Sequence, residues 1–552
     1  MKIEIIVIIL ICMVTPVMAE PTPFVITGHV YDFCGNPCND SWVRVTNLNT
    51  NEGWDVRNSS ESNYYLLMLD SDDISADDVL QFDASGCFRS KTIEHTVTAG
   101  EIRGGGFTED VMISDEGPDL TVTAIKMPDH IYCGRDALIH TTVKNIGTVD
   151  VGTFDLTLKV NGSVIDTVST VLPLETCAAG IYVTFKWTPA SVGTYCLTVT
   201  ADSGNVISEP DRANNNLTEM VQVDSSETIR VPDDHSTIQD AINASSAGTT
   251  IIISPKSDTD NVYYEHVNIT RDGIWLIAEG DVVIRNDASG TTNIPYPADQ
   301  ITVWGEGCTV QGFDLMATYT GVYSNYPGVG VRLCSDHNIV KDNRIDRTYG
   351  GIQIKDSSCN LVENNTVGPC ILRVMGVWGD HNLIADNTFG TVPGSNWLLG
   401  GYVNSYDKSA SHNIVRGNTF ARGASLKGSD NLVYNNRFLG YAEMGSENTY
   451  NITKTPGTNI IDGPYLGGNY WSDYAGNDRD GDGIGDTPHS YDLLPLVNYT
   501  PTYTTADAVI ALSIASGSCE YNPEMDVNND GKVTSLDALM ILQAASGVTE
   551  IA

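Results

Sequence analysis

The stretch His337-Asn338-Ile339-Val340-Lys341-Asp342-Asn343-Arg344-Ile345 is answered by Cys359-Asn360-Leu361-Val362-Glu363-Asn364-Asn365-Thr366-Val367. It returns from His381 to Phe389, from His412 to Phe420 and from Asp430 to Phe438. The leading asparagine recurs after 22, 22, 31 and 18 residues, and a second asparagine follows five positions after each. A unit of about 22 residues with two short apolar runs cannot bury a core alone. Stacked as coils, its Ile, Leu, Val and Phe lie over those of the next rung, ~4.8 Å away. Asparagine suits the turns twice over: it tolerates left-handed backbone, and its amide hydrogen-bonds along the stack. Leucine-rich repeats share the length but need leucines at consensus positions that are missing here. The pattern predicts a right-handed parallel β-helix over residues 228–497.

The flanks of this region read differently. From 23 to 114, short alternating runs such as Phe24–Val30, Trp42–Val45 and Tyr64–Leu69 are separated by Gly, Asn and Asp clusters, as in a small β-sandwich. Asp115-Glu116-Gly117-Pro118 reads as a linker. A second sandwich follows over 119–223, with strands at Leu120–Ala124, Phe154–Val160 and Val183–Trp187 and a hairpin signal at Asn161-Gly162. The fold class is therefore all-β and multidomain, with a small α-helical module at 498–552.

Seventy acidic against thirty basic residues give a net charge of −40, which repels nucleic acid and anionic membranes and suits cations, Ca²⁺ above all. With 41% hydrophobic and 18% charged residues, the chain is not expected to be disordered. Met1-Lys2, an apolar run from Ile5 to Val17 and the site Val17-Met18-Ala19 predict a cleaved signal peptide over 1–19. Nothing downstream is apolar enough for a transmembrane segment, so a secreted or cell-surface location is expected, with attachment non-covalent or through a partner. Of twelve cysteines, loss of Cys12 leaves eleven, an odd number of disulfide candidates whose pairing stays open. Nine glycosylation sequons, from Asn39 to Asn498, agree with export.

Several strings resemble known families. Gly28-His29-Val30-Tyr31-Asp32, Gly35-Asn36-Pro37 and Val43-Arg44-Val45-Thr46-Asn47 resemble the carboxypeptidase-regulatory-like sandwiches of exported proteins. VKNIGT at 143–148, TFDLTLKVNG at 153–162 and ISEPDRANN at 207–215 resemble a CARDB domain, which implies a spacer or adhesive module. The segment 228–280 resembles the opening of pectin-lyase-like β-helices, with Ser236–Ile242 as a capping helix. GGNYWSDYAGNDRDGDGIGDTPHSYDLLPL at 467–496 resembles the tail of NosD-like β-helix proteins. Asp526–Asp537 resembles one half of a dockerin. The other half, echoed by Thr504-Thr505-Ala506-Asp507-Ala508, has Leu496, Asn498 and Thr500 where ligands belong. The assembly as a whole resembles surface proteins of methanogenic archaea.

Two loops are candidate calcium sites, because carboxylates at alternating positions of a tight turn can converge on a hard cation that wants six to eight oxygens. One comprises Asp526, Asn528, Asp530, the Lys532 carbonyl and Asp537; the other Asp478, Asp480, Asp482, the Ile484 carbonyl and Asp486. The NosD resemblance implies copper, which would want His, Cys or Met. His337, Cys359, His381 and His412 occupy equivalent repeat positions, although polar turn residues explain them more simply. Asp346, Asp356, Lys355, Arg347 and Tyr349 are the charged and aromatic groups a polysaccharide lyase or hydrolase would need close together. No signature of such enzymes surrounds them, and no catalytic or organic-cofactor residue is assigned. Trp378, Trp397 and Tyr402 are candidates for stacking on sugar rings. The expected function is an extracellular, calcium-stabilised scaffold or adhesion protein with a polysaccharide or surface glycan as partner; the alternative is a polysaccharide-active enzyme docked through a cohesin-type partner.

Overall fold

Three parallel sheets wrap the repeat region of the computed structural model, which describes residues 23–546 except 58–59, 87–88, 114–116, 257–260, 287–298, 318–327, 369, 371–372, 391–409, 422–423, 500–502, 523–524 and 529. The first sheet stacks nine strands from Thr228–Val231 to Leu432–Tyr434, and the second nine from Val262–Tyr263 to Tyr470–Trp471. A third runs through five, from Val267–Ile269 to Arg373–Trp378. Register follows the repeat: Val340 pairs with Val362, Val362 with Ile384, Ile384 with Val415 and Val415 with Val433, all fully buried. Phe389, Phe420, Phe438 and Trp471 form a second column, rings nearly parallel with centroids 5.0, 4.9 and 4.4 Å apart. Each such ring pair adds ~0.5–1.5 kcal/mol beyond its buried area. This is the all-β, multidomain fold read from the repeat.

The asparagines build two internal ladders. The backbone N–H of Asn338 donates to Asn360 Oδ1, Asn360 to Asn382, Asn382 to Asn413, Asn413 to Asn431 and Asn431 to Asn448, at 2.8–3.0 Å. Five residues further on, Asn343 donates to Asn365, Asn365 to Asn387, Asn387 to Asn418, Asn418 to Asn436 and Asn436 to Asn469, at 2.9–3.1 Å. Every one of these side chains is buried. The sequence reading assigned the left-handed backbone to the asparagines themselves, and the structure moves it one residue earlier. His337, Cys359, His381 and His412 have φ of 56–60°, and Asp342, Asn364, Asp386 and Asn435 of 53–59°. The preceding residue bends the chain, and the asparagine turns inward to hydrogen-bond.

Both ends of the stack are closed. Thr237 caps the helix Ile238–Ala244 by accepting from Asp240 N at 3.1 Å, and the helix lays Ile238, Ala241 and Ile242 over the first coil. At the other end Asp492 replaces the next asparagine. Its Oδ2 accepts from Asn469 N at 2.7 Å and Trp471 Nε1 at 2.8 Å, and its Oδ1 from Leu494 N at 3.1 Å. Burial pushes this carboxyl up to about 6, against the pull of the Asn469 amide and the Trp471 indole.

Two sandwiches precede the coil. The first pairs a sheet around Phe24–Asp32 with one around Trp42–Asn47; the second faces a five-stranded sheet with a three-stranded one. Cys34 and Cys177 form a disulfide that ties the two together. The second sandwich docks on the first sheet of the coil. Leu138 packs on Ile339 and Leu361, Lys341 Nζ lies 2.9 Å from Asp136, and Arg135 Nη1 donates to the Gly273 carbonyl at 3.1 Å. The Tyr132 ring lies so close to Gly248 and Gly273 that an added Cβ would come within 2.0 and 2.4 Å of it. At the far end, helices Thr505–Ala515 and Ser535–Ala545 pack through Ala508, Ala511, Ala538 and Ile541. Among the described residues no helix is long and apolar enough to cross a membrane; the expected signal peptide lies outside them.

Two outcomes follow from the ladders. Asn387→Ala strands the buried Asn365 amide and the Val362 and Ala385 carbonyls. The expected cost is ~3 kcal/mol in urea unfolding, against under ~1 kcal/mol for exposed Thr388→Ala. Asp492, with a folded pKa of about 6 against ~3.9 unfolded, keeps its proton longer in the folded chain. Its contribution is therefore largest in acid and declines as pH rises from ~4 to ~6. The stability of Asp492→Asn relative to the parent should rise by roughly 2–3 kcal/mol over that window; a difference flat with pH would refute the assignment.

Candidate metal centres

In the first acidic loop, glycines at positions 481 and 483 adopt φ of 74° and 84°, allowing the chain to fold back on itself. Carboxylate oxygens of Asp478, Asp480 and Asp482 come within 4.8 Å of one another. Asp478 accepts from Gly481 N and Gly483 N, both at 2.8 Å. Burial pushes Asp478 up, but those amides outweigh it and hold the carboxyl below its ordinary range. Its hydrogen bond with Asp480 holds that neighbour above the range, with the Asp482 and Asp478 charges adding to the rise. Lys454 Nζ pairs with Asp482. Asp486 stands outside the trio and accepts from Arg479 N at 3.0 Å, while buried Ile484 donates its amide to Asp482 at 2.8 Å. The donor set is oxygen-rich and overcharged, which fits a hard cation.

The second loop is organised around its own amides. Asp526 Oδ2 accepts from Gly531 N at 2.8 Å, Asn528 Oδ1 from Asp530 N at 2.9 Å, and Asp530 Oδ1 from Lys532 N at 3.0 Å. Fully buried Asp537 caps the last helix, accepting from Thr534 N and Oγ1 at 2.8 Å and from Asn528 N at 3.3 Å. Burial pushes Asp537 up, and the Thr534 and Asn528 donors more than reverse it. Asp526, Asp530 and Asp537 stay farther apart than the trio of the first loop.

The other candidates separate. Asp346 ends a strand of the second sheet with Arg347 beside it at 3.7 Å. Lys355 ends a strand of the third sheet, and Asp356 turns beyond it at φ 51°. Trp378 closes the last strand of the third sheet, while Trp397 and Tyr402 lie outside the described residues. His337, Cys359, His381 and His412 do form a column along one edge, and the second sandwich faces it. Tyr182 stands edge-on to His381 and His412, at 4.1 and 5.2 Å between centroids, and His140 lies 5.3 Å from His337. Sequence reading missed His140, Tyr182 and Lys454, which carry no motif; only the docking and the fold-back bring them in.

Residues 203–476 match the family model described as periplasmic copper-binding protein (NosD), and residues 117–219 match the CARDB model. The chain thus carries a NosD-type segment and a CARDB domain. No curated protein matches it. A Pyrococcus furiosus CARDB domain, solved in complex with di-metal ions, is 32% identical over 20% of this chain and 92% of its own, at a TM-score of 0.19. A domain of a Methanosarcina acetivorans protein named for the cell surface is 31% identical over 19% and 91%, at 0.18. The catalytic domain of an α-1,3-glucanase in complex with nigerose is 13% identical over 60% and 69%, at 0.29, a likeness that bears on no chemistry.

Proposed function

We propose that the chain is an exported surface protein whose β-helix and sandwiches form a rigid, calcium-stabilised scaffold for adhesion. The observation that carries this reading is how the sandwiches are held. Cys34–Cys177 joins the first to the second, and Asp136, Leu138 and Arg135 fix the second to the coil. A disulfide between domains persists only in an oxidising compartment, which favours a location outside the cytoplasm. Domains fastened in this way hold a fixed geometry, as a scaffold requires and a string of flexible linkers does not. Calcium is the ion that suits the Asp478 loop, and a surface glycan is the partner class: Trp304 and Tyr441, 57% and 75% exposed, offer flat apolar faces. One loop of dockerin type remains at the C-terminus as the candidate contact for a cohesin-type partner. Separation of Asp346 from Asp356 by sheet speaks against a carboxylate-pair hydrolase.

Calcium at a hundred times its dissociation constant should stabilise the C-terminal half by about 2.7 kcal/mol over EGTA. Calorimetry of the full chain reads this as a raised midpoint, lost in Asp478→Asn with Asp482→Asn. An unchanged midpoint removes calcium from the reading. Incubation with neutral and acidic polysaccharides should give retention without new reducing ends or unsaturated products; either product would replace the scaffold by an enzyme.

A further inference from the structure

We propose that His140, His337 and Cys359 form a binding centre for a thiophilic d¹⁰ metal ion, Zn²⁺ or Cu⁺, that locks the CARDB domain onto the β-helix. Ligand atoms of the three residues lie within 4.8 Å of one another. Bonds of ~2.0 Å to nitrogen and ~2.3 Å to sulfur place such atoms about 3–4 Å apart, so the three need close by only about 1 Å. His140 and His337 are each 9% exposed and Cys359 6%. Two imidazoles with one sulfur make a borderline-to-soft donor set, unlike the all-oxygen loops near the C-terminus.

The ring nitrogens are arranged as ligands. His337 Nδ1 lies 2.7 Å from Glu306 Oε1, a contact in which the ring donates to the carboxylate oxygen and Nε2 is the nitrogen left for a metal. His140 Nδ1 is paired with Thr184 Oγ1 at 2.9 Å. The Nε2 atoms of both rings are buried without a well-formed hydrogen bond, the His140 ring having only the Cys359 backbone close by, a condition that a metal would relieve. A carboxylate behind an imidazole is the usual outer partner of a metal-bound histidine, fixing its tautomer and orientation. Burial, reinforced by His337, pushes the His140 imidazole down to about 3, so it stays neutral and available. Burial also raises the Cys359 thiol to about 11; on binding, its proton leaves to solvent as the metal–sulfur bond forms.

There is space for a guest. A cavity of about 30 Å³, enough for an atom the size of water, lies beside the trio; His140 and Cys359 line it with Lys126, Tyr182, His381 and His412, and His337 stands off its wall. His381 contributes another buried, unpartnered Nε2 to this cavity and is the next donor for an ion that prefers four ligands. His140 lies outside residues 203–476, so the β-helix alone cannot build the centre. It exists only when the two domains are docked.

The full-length chain, with its Cys34–Cys177 disulfide intact and its acidic loops saturated by Ca²⁺, is titrated with Zn²⁺, with Cu⁺ against a competing chelator, and with Co²⁺ as a spectroscopic probe. One equivalent should bind, and Co²⁺ should give a thiolate-to-metal charge-transfer band that Cys359→Ser abolishes. His140→Ala and His337→Ala should each weaken binding by more than tenfold, and Glu306→Gln by about 10–100-fold, with circular dichroism unchanged. Cys359→Ser is the mildest change and guards against misfolding as the cause of loss. Sensitivity of Zn²⁺ binding to His381→Ala would mark a four-coordinate site; tight Cu⁺ indifferent to that change would mark a three-coordinate one. Absence of the band, its survival in Cys359→Ser, or unchanged affinity in His140→Ala would overturn the proposal, leaving the imidazoles as packing groups. None of these outcomes depends on the calcium experiment.

Discussion

Burial of the turns is the constraint on which the structure rests. A coil that reverses direction inside its own stack points backbone amides into an apolar interior, where each unpaired group costs several times what a hydrogen bond returns. The asparagine amide meets that demand in both directions. Asn382 Oδ1 accepts from the Asn360 backbone and side chain, while its own backbone and Nδ2 donate to Asn413 Oδ1. The step from Asn382 to Asn413 spans 31 residues instead of 22, yet the bonds keep the same lengths. The ladder therefore sets the register across steps of unequal length.

Once register is fixed, the residue before each asparagine is fixed too. Its side chain lies on the rim of the coil, free of the core's demand for shape, so chemistry can vary there while geometry cannot. That freedom explains how His337, Cys359, His381 and His412 come to share one edge, with the His381 and His412 rings 5.1 Å apart and 7° from parallel. It also explains why a second domain can read this edge. Tyr182 and His140 belong to neighbouring strands of one sheet and meet different rungs of the other domain.

The parts legible in the sequence were those governed by local repetition. Equal spacing of Asn338, Asn360 and Asn382 made the coil readable, and Thr237 ahead of Ile238 marked the helix that closes it. The left-handed position was misplaced by one residue because asparagine is so often the residue that adopts it, and here burial claims its side chain for another task. Contacts between domains left no trace. Asp136 and Lys341 are ordinary surface residues in composition, and the bond from Cys34 to Cys177 crosses between two sandwiches, a pairing the spacing of the cysteines leaves open. Of the two acidic loops, alternation gave both, but only the fold-back of Lys454 onto Asp482 and the turning away of Asp486 show how their charges are balanced.

The C-terminal end of the stack joins these strands of reasoning. An open rung exposes unpaired strand edges, which invite association with other chains. Here the last rung is covered by the segment around Leu496, whose N–H donates to Asn469 O at 2.8 Å and which also bridges Ile484. The Asp478 loop is thus part of the lid, and Ile484 connects its carboxylates to the ladder through a single residue. Its three converging carboxylates would push the lid open if unneutralised, since like charges in a tight turn repel. Lys454 offsets part of that charge. A divalent cation would offset more of it at the point where the stack is most exposed, and so couple closure of the β-helix to the concentration of such ions around it.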